Sequence, residues 1–277
     1  MRKTLILSLA LLLAPFYWAT AAFAAEPENE CGQKAHEIIK FAYPSAVEGA
    51  NGEYSIEQST ITVTESKYIG MDPFATVCRY WRANPEKLLV TVPIIHGDRQ
   101  SDEVQADLDI LVVNSETLDV ITRVRLPDFI MQDAIRLSRV FIDTAPYRLV
   151  GGRIAFAVRI SREGSSRVNP FYQTTMRLYD LDKENLRAIS GDIIVEQSSG
   201  EWDGNCTGEF SKVENTFGVS PDRRNGAADI VATSRERTRI TKERDGLCDD
   251  EEKDESMETY RLRFDGQTYN VPKAPKP

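Results

Sequence analysis

The chain has 277 residues, with 34 basic and 43 acidic side chains and a formal net charge of −9. A chain of this length buries a substantial core without needing a metal or a cofactor. The negative charge disfavours a nucleic-acid partner, because affinity for nucleic acid depends on a basic protein surface. We therefore expect an exported or soluble protein that does not bind nucleic acid.

The first 24 residues have the pattern of a secretory signal peptide. The positive start Arg2-Lys3 precedes an apolar run at 5–15, and the small-residue motif Ala22-Phe23-Ala24 follows. The apolar run is too short to span a membrane, which takes about 20 residues of helix. We expect cleavage after Ala24, a bacterial periplasmic or secreted location, and no membrane span in the processed chain. Cleavage leaves 253 residues with a charge of −11, because two basic residues leave with the signal.

Four cysteines follow the predicted signal, and they are Cys31, Cys78, Cys206 and Cys248. An even number of cysteines in an exported chain predicts disulfide bonds. We expect the pairs Cys31–Cys78 and Cys206–Cys248, because each pair closes a loop within its own half of the chain. The alternative, a zinc site, requires cysteines only a few residues apart, and no two have that spacing.

The first predicted element is a helix within residues 26–43. Its apolar residues recur at steps of three and four residues, which places them on one face: Ala35, Ile38, Ile39 and Ala42. Pro44 ends the helix, because proline does not continue a helical hydrogen-bond pattern. We expect this helix to cover one face of a sheet and to be held near its start by Cys31.

From Tyr54 onward the apolar period changes to two, the period of a β-strand. We predict strands at 54–63, 76–81, 88–95, 108–113, 120–126, 140–143, 153–160, 176–181, 189–195, 213–219, 228–234, 260–264 and 268–271. Polar turns separate them, and Asp265-Gly266 is a strong two-residue hairpin signal. Strands that follow each other with almost no helix between them indicate antiparallel pairing.

The predicted fold is mostly β, either an antiparallel β-sandwich or a propeller-like meander, with the N-terminal helix packed on it. We predict one β-rich domain at 25–272 and a disordered tail at 273–277. Three stretches interrupt the strand pattern: 97–103 is turn-like, 127–138 is a short helix or an irregular crossover, and 245–255 is a solvated acidic loop.

The sequence predicts no catalytic residue. The two histidines are His36 and His96, and no Gly-x-Ser-x-Gly nucleophile motif occurs. Paired carboxylates are the better enzymatic candidate, since a glycosidase uses two carboxyl groups at a defined separation. The carboxylates that meet this description most closely flank Trp202, and they are Glu196, Glu201 and Asp203.

The sequence also predicts no metal site and no cofactor. Asp180, Asp182 and Glu184 alternate as calcium ligands do, but the glycine and the distal glutamate of an EF-hand loop are missing. The acidic run 249–252 has no ligand spacing, so a solvated surface explains it. Neither a Gly-x-Gly-x-x-Gly nor a Walker-type loop is present.

One stretch has the composition of a binding loop. Residues 165–172 join two predicted strands and mix arginine, asparagine and aromatic side chains, as protein interfaces do. We predict that this loop and the segment around Trp202 form a binding surface, and its residues are Arg167, Asn169, Phe171, Tyr172, Glu201, Trp202 and Asp203.

From these patterns we expect an exported, non-enzymatic periplasmic protein that binds a protein or another cell-envelope component through its loops. One alternative is an inhibitor or immunity-type protein that neutralises an envelope-active toxin, which the acidic charge fits. The other is a glycan-directed hydrolase that uses Glu196, Glu201 or Asp203. The identity of the partner and the number of copies in the assembly stay open at this stage.

Overall fold

Two antiparallel β-sheets and one helix make up residues 28–271, the part of the chain that the computed structural model describes. The helix α1 spans Lys34–Ala42. The predicted signal peptide and the predicted C-terminal tail lie outside the described residues. None of the helices within residues 28–271 is long and apolar enough to cross a membrane.

Seven strands form the first sheet: β1 (Val47–Glu48), β2 (Glu53–Ile56), β3 (Ser59–Thr62), β4 (Val77–Tyr80), β5 (Lys87–His96), β6 (Val104–Asn114) and β7 (Val120–Gln132). Their order across the sheet is β1-β2-β3-β5-β6-β7, and β4 pairs with β5. Every pair of neighbouring strands in this sheet is antiparallel.

Eight strands form the second sheet: β8 (Ile135–Arg148), β9 (Ile154–Gly164), β10 (Phe171–Asp182), β11 (Asn185–Ala188), β12 (Ile193–Trp202), β13 (Gly208–Arg224), β14 (Ala227–Arg244) and β15 (Leu247–Leu262). Their order is β15-β14-β13-β12-β10-β9-β8, and β11 pairs with β10. A short 3-10 turn at Val150–Gly152 connects β8 to β9.

The two sheets pack face to face around a shared hydrophobic core, which confirms the predicted sandwich rather than the propeller-like alternative. Alternate residues of the central strands point into this core, for example Leu108 and Ile110 of β6 and Phe156 and Val158 of β9, as the period of two requires. The first sheet contributes Trp81, Leu89, Leu108 and Ile110, and the second contributes Val140, Phe156, Val158 and Tyr179. Phe156 stacks between Trp81 and Tyr179, with ring centroids 5.4 Å and 5.5 Å away.

The outer face of each sheet is covered by a different part of the chain. Helix α1 covers the first sheet with the four residues that the apolar spacing predicted, Ala35, Ile38, Ile39 and Ala42. The second sheet buries residues such as Met176 and Leu178 beneath Phe264 and Tyr269 of the C-terminal segment. The layers are therefore helix, sheet, sheet and C-terminal segment.

The helix is shorter than predicted because its first residues are used elsewhere. Glu30 donates its backbone N–H to the carbonyl oxygen of Cys78 at 2.9 Å, so this segment lies along β4. Gly32 then turns the chain with a φ of 53° before the helix begins. The disulfide Cys31–Cys78 fixes this entry, and its pairing was predicted correctly.

Two of the stretches that interrupt the predicted strand pattern are strands in the structure. Residues 127–138 contain the end of β7 and the start of β8, and Asp133-Ala134 carries the chain from one sheet to the other. Residues 245–255 were predicted to be an acidic loop, yet only Asp245-Gly246 is a turn and the rest belongs to β15. The acidic residues are accommodated because basic residues of β14 lie across from them, for example Arg239 opposite Glu252.

Strand β15 forms one edge of the second sheet and pairs with β14 alone. Its backbone on the other side has no strand partner within residues 28–271. The strand is exposed along most of its length and carries the carboxylates of Asp249, Asp250, Glu251, Glu252, Asp254, Glu255 and Glu258.

Candidate functional site

The far ends of four strands extend beyond the hydrophobic core and form what we call the arm. The arm consists of 198–202 of β12, 208–214 of β13, 235–244 of β14 and 247–258 of β15. None of these residues belongs to a hydrophobic cluster, and Thr241 is the one residue among them that is buried. Its ten β14 residues span roughly 33 Å at the usual rise per residue.

A disulfide and an aromatic ring hold the end of the arm together. Cys206 and Cys248 are bonded with their α-carbons 5.1 Å apart, as predicted, and link the β12–β13 turn to β15. The ring of Phe210 lies over two glycines: a β-carbon added at Gly200 or Gly208 would lie 2.5 Å or 2.9 Å from it. Any larger residue at either position would therefore displace the ring.

Charged residues in register across the strands form a second set of contacts, the ion-pair ladder. The Lys212 ammonium lies 2.9 Å from Glu214 and 3.0 Å from Glu196, and Arg237 pairs with Glu214. The hydrogen bonds that Lys212 donates to Glu214 and Glu196 raise the pKa of Lys212, and the one to Glu214 lowers the pKa of that carboxyl group. The ladder continues through Arg235 and Glu255, and through Arg239 and Asp250.

The ladder also includes the aromatic ring. The guanidinium of Arg239 lies 4.9 Å from the centroid of Phe210, a distance at which a cation is attracted to the ring. The sequence analysis did not identify Phe210 or Arg239 as functional candidates. The alternation of Arg235, Arg237 and Arg239 along one strand is the signal that would have indicated a single charged face.

The predicted binding loop lies directly against the arm. The backbone N–H of Gly200 donates to the carbonyl oxygen of Pro170 at 3.1 Å, and that of Trp202 donates to Val168 at 2.8 Å. The structure therefore brings the two predicted segments together into one surface, which we call the loop surface: Arg167, Asn169, Phe171, Tyr172, Glu201, Trp202 and Asp203.

The residues of the loop surface differ in exposure. Phe171, Tyr172 and Trp202 are half-buried, and the other four are exposed. The indole N–H of Trp202 donates to the carbonyl oxygen of Asn205 at 3.0 Å, which fixes the ring. Half-buried aromatic rings beside exposed polar side chains are the usual composition of a binding hot spot.

Asp203 shapes the turn that carries Cys206. One of its carboxylate oxygens accepts the backbone N–H groups of Asn205 at 2.8 Å and Thr207 at 3.0 Å. These two hydrogen bonds lower the pKa of Asp203. The carboxylate is therefore a structural element of the loop surface.

The structure does not bring the three carboxylates of the hydrolase alternative together. Glu196 and Glu201 are five residues apart on β12, so their side chains leave opposite faces of the strand. Glu196 is paired with Lys212, and Asp203 is bound to its own turn. A glycosidase uses two carboxyl groups about 5–10 Å apart on either side of one bond, so the hydrolase alternative stays a prediction that activity measurements have to test.

Asp180 and Asp182, two of the residues that alternate in the sequence as calcium ligands do, contact an arginine side chain. Asp180 is buried and accepts two hydrogen bonds from Arg153, at 3.0 Å from Nε and 2.5 Å from Nη2. Arg153 also lies 3.5 Å from Asp182. In the acidic run, Asp249 pairs with Arg244. Guanidinium groups therefore stand where a cation would have to bind.

His96 belongs to a hydrogen-bonded chain on the helix-covered face of the first sheet. Its Nδ1 lies 3.0 Å from the Ser59 hydroxyl and its Nε2 lies 2.9 Å from Asp107. The backbone N–H of Asp128 donates to the same Asp107 oxygen at 3.0 Å, and Arg125 lies 4.0 Å from the other. Burial acts to raise the pKa of Asp107, but the contacts with His96, Asp128 and Arg125 lower it overall.

The hydrogen-bonded residues Ser59, His96 and Asp107 are of the types found in a Ser–His–Asp site. The sequence did not indicate this grouping, because Ser59 and Asp107 come from the strands on either side of the strand that carries His96. Ser59, His96 and Asp107 line neither of two cavities in residues 28–271, one beside Trp81 and Arg153 and the other beside Glu103 and Arg136. His96, Asp107 and Asp128 also have ligand atoms within 4.8 Å of one another, but the nearby arginine disfavours a cation there.

Comparisons of the chain with protein families, with curated proteins and with solved structures gave no match. The function of this protein therefore has to be argued from the geometry of its own residues.

Proposed function

We propose that this protein is an exported, non-enzymatic binding protein that presents the arm and the loop surface to a protein partner in the bacterial periplasm. One observation carries the proposal: the arm is rigidly cross-linked although it adds nothing to the hydrophobic core. Ordering these residues costs conformational entropy that the slight burial within the arm offsets only in part. A surface held in one conformation before binding loses less entropy when a partner docks.

The contents of the loop surface support a protein partner. Trp202 and Phe171 offer apolar area, the Trp202 ring is already fixed by its hydrogen bond, and Arg167 and Asn169 offer polar contacts around them. Tryptophan, tyrosine and arginine are the residues most enriched at the energetic centres of protein interfaces. Partial burial acts to raise the pKa of Tyr172, but hydrogen bonds with Ser161, Thr174 and Arg139 lower it overall, so its hydroxyl is already held in place.

The two disulfides support export. Both are formed between residues that approach through the fold, and neither leaves a free cysteine within the described residues. Disulfides persist in oxidising compartments such as the bacterial periplasm. Together with the signal-peptide pattern, they favour the periplasm as the place where the partner is met.

The proposal is tested by affinity capture from periplasmic extract with three forms of the processed protein. The first is the wild type, the second is R167A/W202A in the loop surface, and the third is the matched control K67A/Y68A, which removes a lysine and an exposed tyrosine elsewhere. We expect one stoichiometric partner to be retained by the wild type and the control and lost by R167A/W202A.

Capture of the same proteins by all three forms would overturn the proposal. Inhibition of a captured envelope-active toxin would assign the protein the inhibitor role. Cleavage of purified cell wall by the wild type that disappears in E201Q would establish the hydrolase alternative instead.

A further inference from the structure

A cavity that none of the loop-surface residues line lies at the seam between the two sheets, in the described part of the chain. Three connections meet there: the turn from Trp81 to Lys87, the corner from Arg148 to Ile154, and the turn at Leu181 to Lys183. The cavity, which we call the seam pocket, has a volume of about 410 Å³. This volume is within the usual range of small-molecule sites, about 300–1,000 Å³.

All charged residues that line the seam pocket are basic, and they are Lys87, Arg148, Arg153 and Lys183. No carboxylate lines it, although acidic residues outnumber basic ones in the chain as a whole. The basic lining is therefore the reverse of the overall charge and is confined to one concave place.

Two of the four basic residues that line the pocket are paired with acids within residues 28–271, and two are not. Lys87 pairs with Glu86, and Arg153 pairs with Asp180 and Asp182. Arg148 and Lys183 form no ion pair with any residue in 28–271; Arg148 donates to the carbonyl oxygen of Gly152 at 2.8 Å instead. The pocket thus presents about two uncompensated positive charges, which favours an anionic occupant.

The remaining walls of the pocket are apolar. Ile154, Leu181 and the almost fully buried Trp81 line it. The Trp81 ring is held edge-on against Phe156, so this wall is rigid. An apolar wall beside convergent charged groups is the arrangement found in sites for small organic ligands.

We propose that the seam pocket binds a small organic dianion, with two negative charges carried on an apolar frame. Arg148 and Lys183 would pair with the charges, and Trp81 with Ile154 would contact the frame. A phosphate ester and a dicarboxylate share this chemistry. The site uses none of the residues of the loop surface, so it stands or falls independently of the proposed function.

Trp81 makes the test direct. The three tryptophans are Trp18, Trp81 and Trp202, and the first leaves with the signal peptide. In the processed W202F variant, fluorescence therefore reports on Trp81. We would titrate phenyl phosphate and phthalate at pH 7.5 and low ionic strength, with benzyl alcohol as the neutral aromatic control, and record both fluorescence and Tm.

We expect saturable fluorescence changes and a raised Tm with at least one dianion, and neither with benzyl alcohol. R148Q/K183Q should weaken binding by about 10- to 100-fold, because it removes two charge-assisted hydrogen bonds. The control K67Q/R244Q removes the same charge far from the pocket and should leave affinity within about twofold. If the double variant misfolds, K183Q alone should still weaken binding, since this side chain is exposed.

A response to phenyl phosphate alone would identify phosphate esters as the ligand class, and a response to phthalate alone would identify dicarboxylates. No saturable response to either dianion up to about 10 mM would overturn the proposal, because that affinity is below what two charged contacts provide. Equal affinity in wild type and R148Q/K183Q, or equal binding of benzyl alcohol, would also overturn it.

Discussion

The arm and the body of the second sheet share the same strands but are stabilised in different ways. On β14, Ile230 and Ala232 are buried, whereas Arg235 and Arg239 further along the strand are exposed and paired with acids. The backbone ladder runs through both regions without interruption except for single bulges. A sheet can therefore leave its hydrophobic core and remain ordered when cross-strand charges and a cross-link replace burial.

Removing an aromatic ring should give the largest difference in lost stability between the body of the second sheet and the arm. Phe156 is fully buried between Trp81 and Tyr179, so F156A should lower the free energy of unfolding by about 3–5 kcal/mol. The matched change in the arm, F210A, should lower it by less than about 1 kcal/mol, because that ring is half-exposed. Urea unfolding measures both, and equal losses would show that the arm unfolds as part of the core.

Ion pairs allow a second comparison, between a buried pair in the core of the molecule and an exposed pair in the arm. Asp109 is fully buried and accepts hydrogen bonds from Arg125 at 2.7 Å and 2.8 Å and from Tyr43 at 2.6 Å. R125M leaves a buried carboxylate without its main partner, so we expect a loss of about 3 kcal/mol in unfolding free energy. R237M removes an arm pair that is open to solvent, and its loss should be about 0.2–1 kcal/mol.

The control for this experiment is the salt dependence of each loss. The R237M loss should shrink in 1 M sodium chloride, because exposed pairs are screened, and the R125M loss should persist. A loss for R125M as small and as salt-sensitive as that for R237M would contradict a buried pair.

The two disulfides close loops of similar length but should act on different parts of the molecule. Their sequence separations are 47 and 42 residues. C31A/C78A should lower the global unfolding free energy by about 2–4 kcal/mol, because it frees the helix entry from the core. C206A/C248A should instead speed amide hydrogen exchange in 208–214 and 247–258 while the core strands keep their protection.

Hydrogen exchange followed by mass spectrometry distinguishes these outcomes. If loss of the Cys206–Cys248 bond speeds exchange equally in the arm and in the core strands β5 and β6, the arm is not an independently opening unit.

Protonating two carboxylates by lowering the pH should give the smallest change in stability. The pKa of Asp107 in the body and that of Glu214 in the arm are both lowered, so each stabilises the folded state above the pKa of the unfolded chain, near pH 4. This stabilisation is lost as pH falls through the folded-state value. The wild type should therefore exceed D107N in unfolding free energy at pH 7, and the gap should close by about pH 2.

For the arm, the wild type is compared with E214Q, and amide hydrogen exchange is measured in place of the unfolding free energy. Exchange in 208–214 should be slower in the wild type at pH 7, with the difference vanishing on acidification. A gap that widened as pH fell would mean that these carboxylates are destabilising in the folded protein.

Local patterns in the sequence predict the helix-covered sandwich well. Ala35, Ile38, Ile39 and Ala42 form the buried helix face because their spacing matches the helical period. The pairing of the cysteines was also predictable, since each pair lies within one half of the chain and each half builds its own end of the structure.

Features that depend on neighbouring strands were not predictable. The acidic run of β15 resembles a loop until the arginines of β14 are placed across from it. Ser59 reaches His96 only through the pairing of β3 with β5, and the seam pocket combines three connections that are distant in the chain. Of the candidate site, the sequence could predict which two segments have the composition of an interface, but not that these segments share backbone hydrogen bonds.

One edge of β15 has no strand partner within residues 28–271, which affects how copies of the protein behave at high concentration. An unpaired strand edge is a template on which another molecule can add its own strand, and such additions lead to aggregates and fibres. The row of carboxylates along this edge makes two copies repel each other at neutral pH. Once acid neutralises that row, the same edge becomes the place where strand-by-strand growth of aggregates should begin.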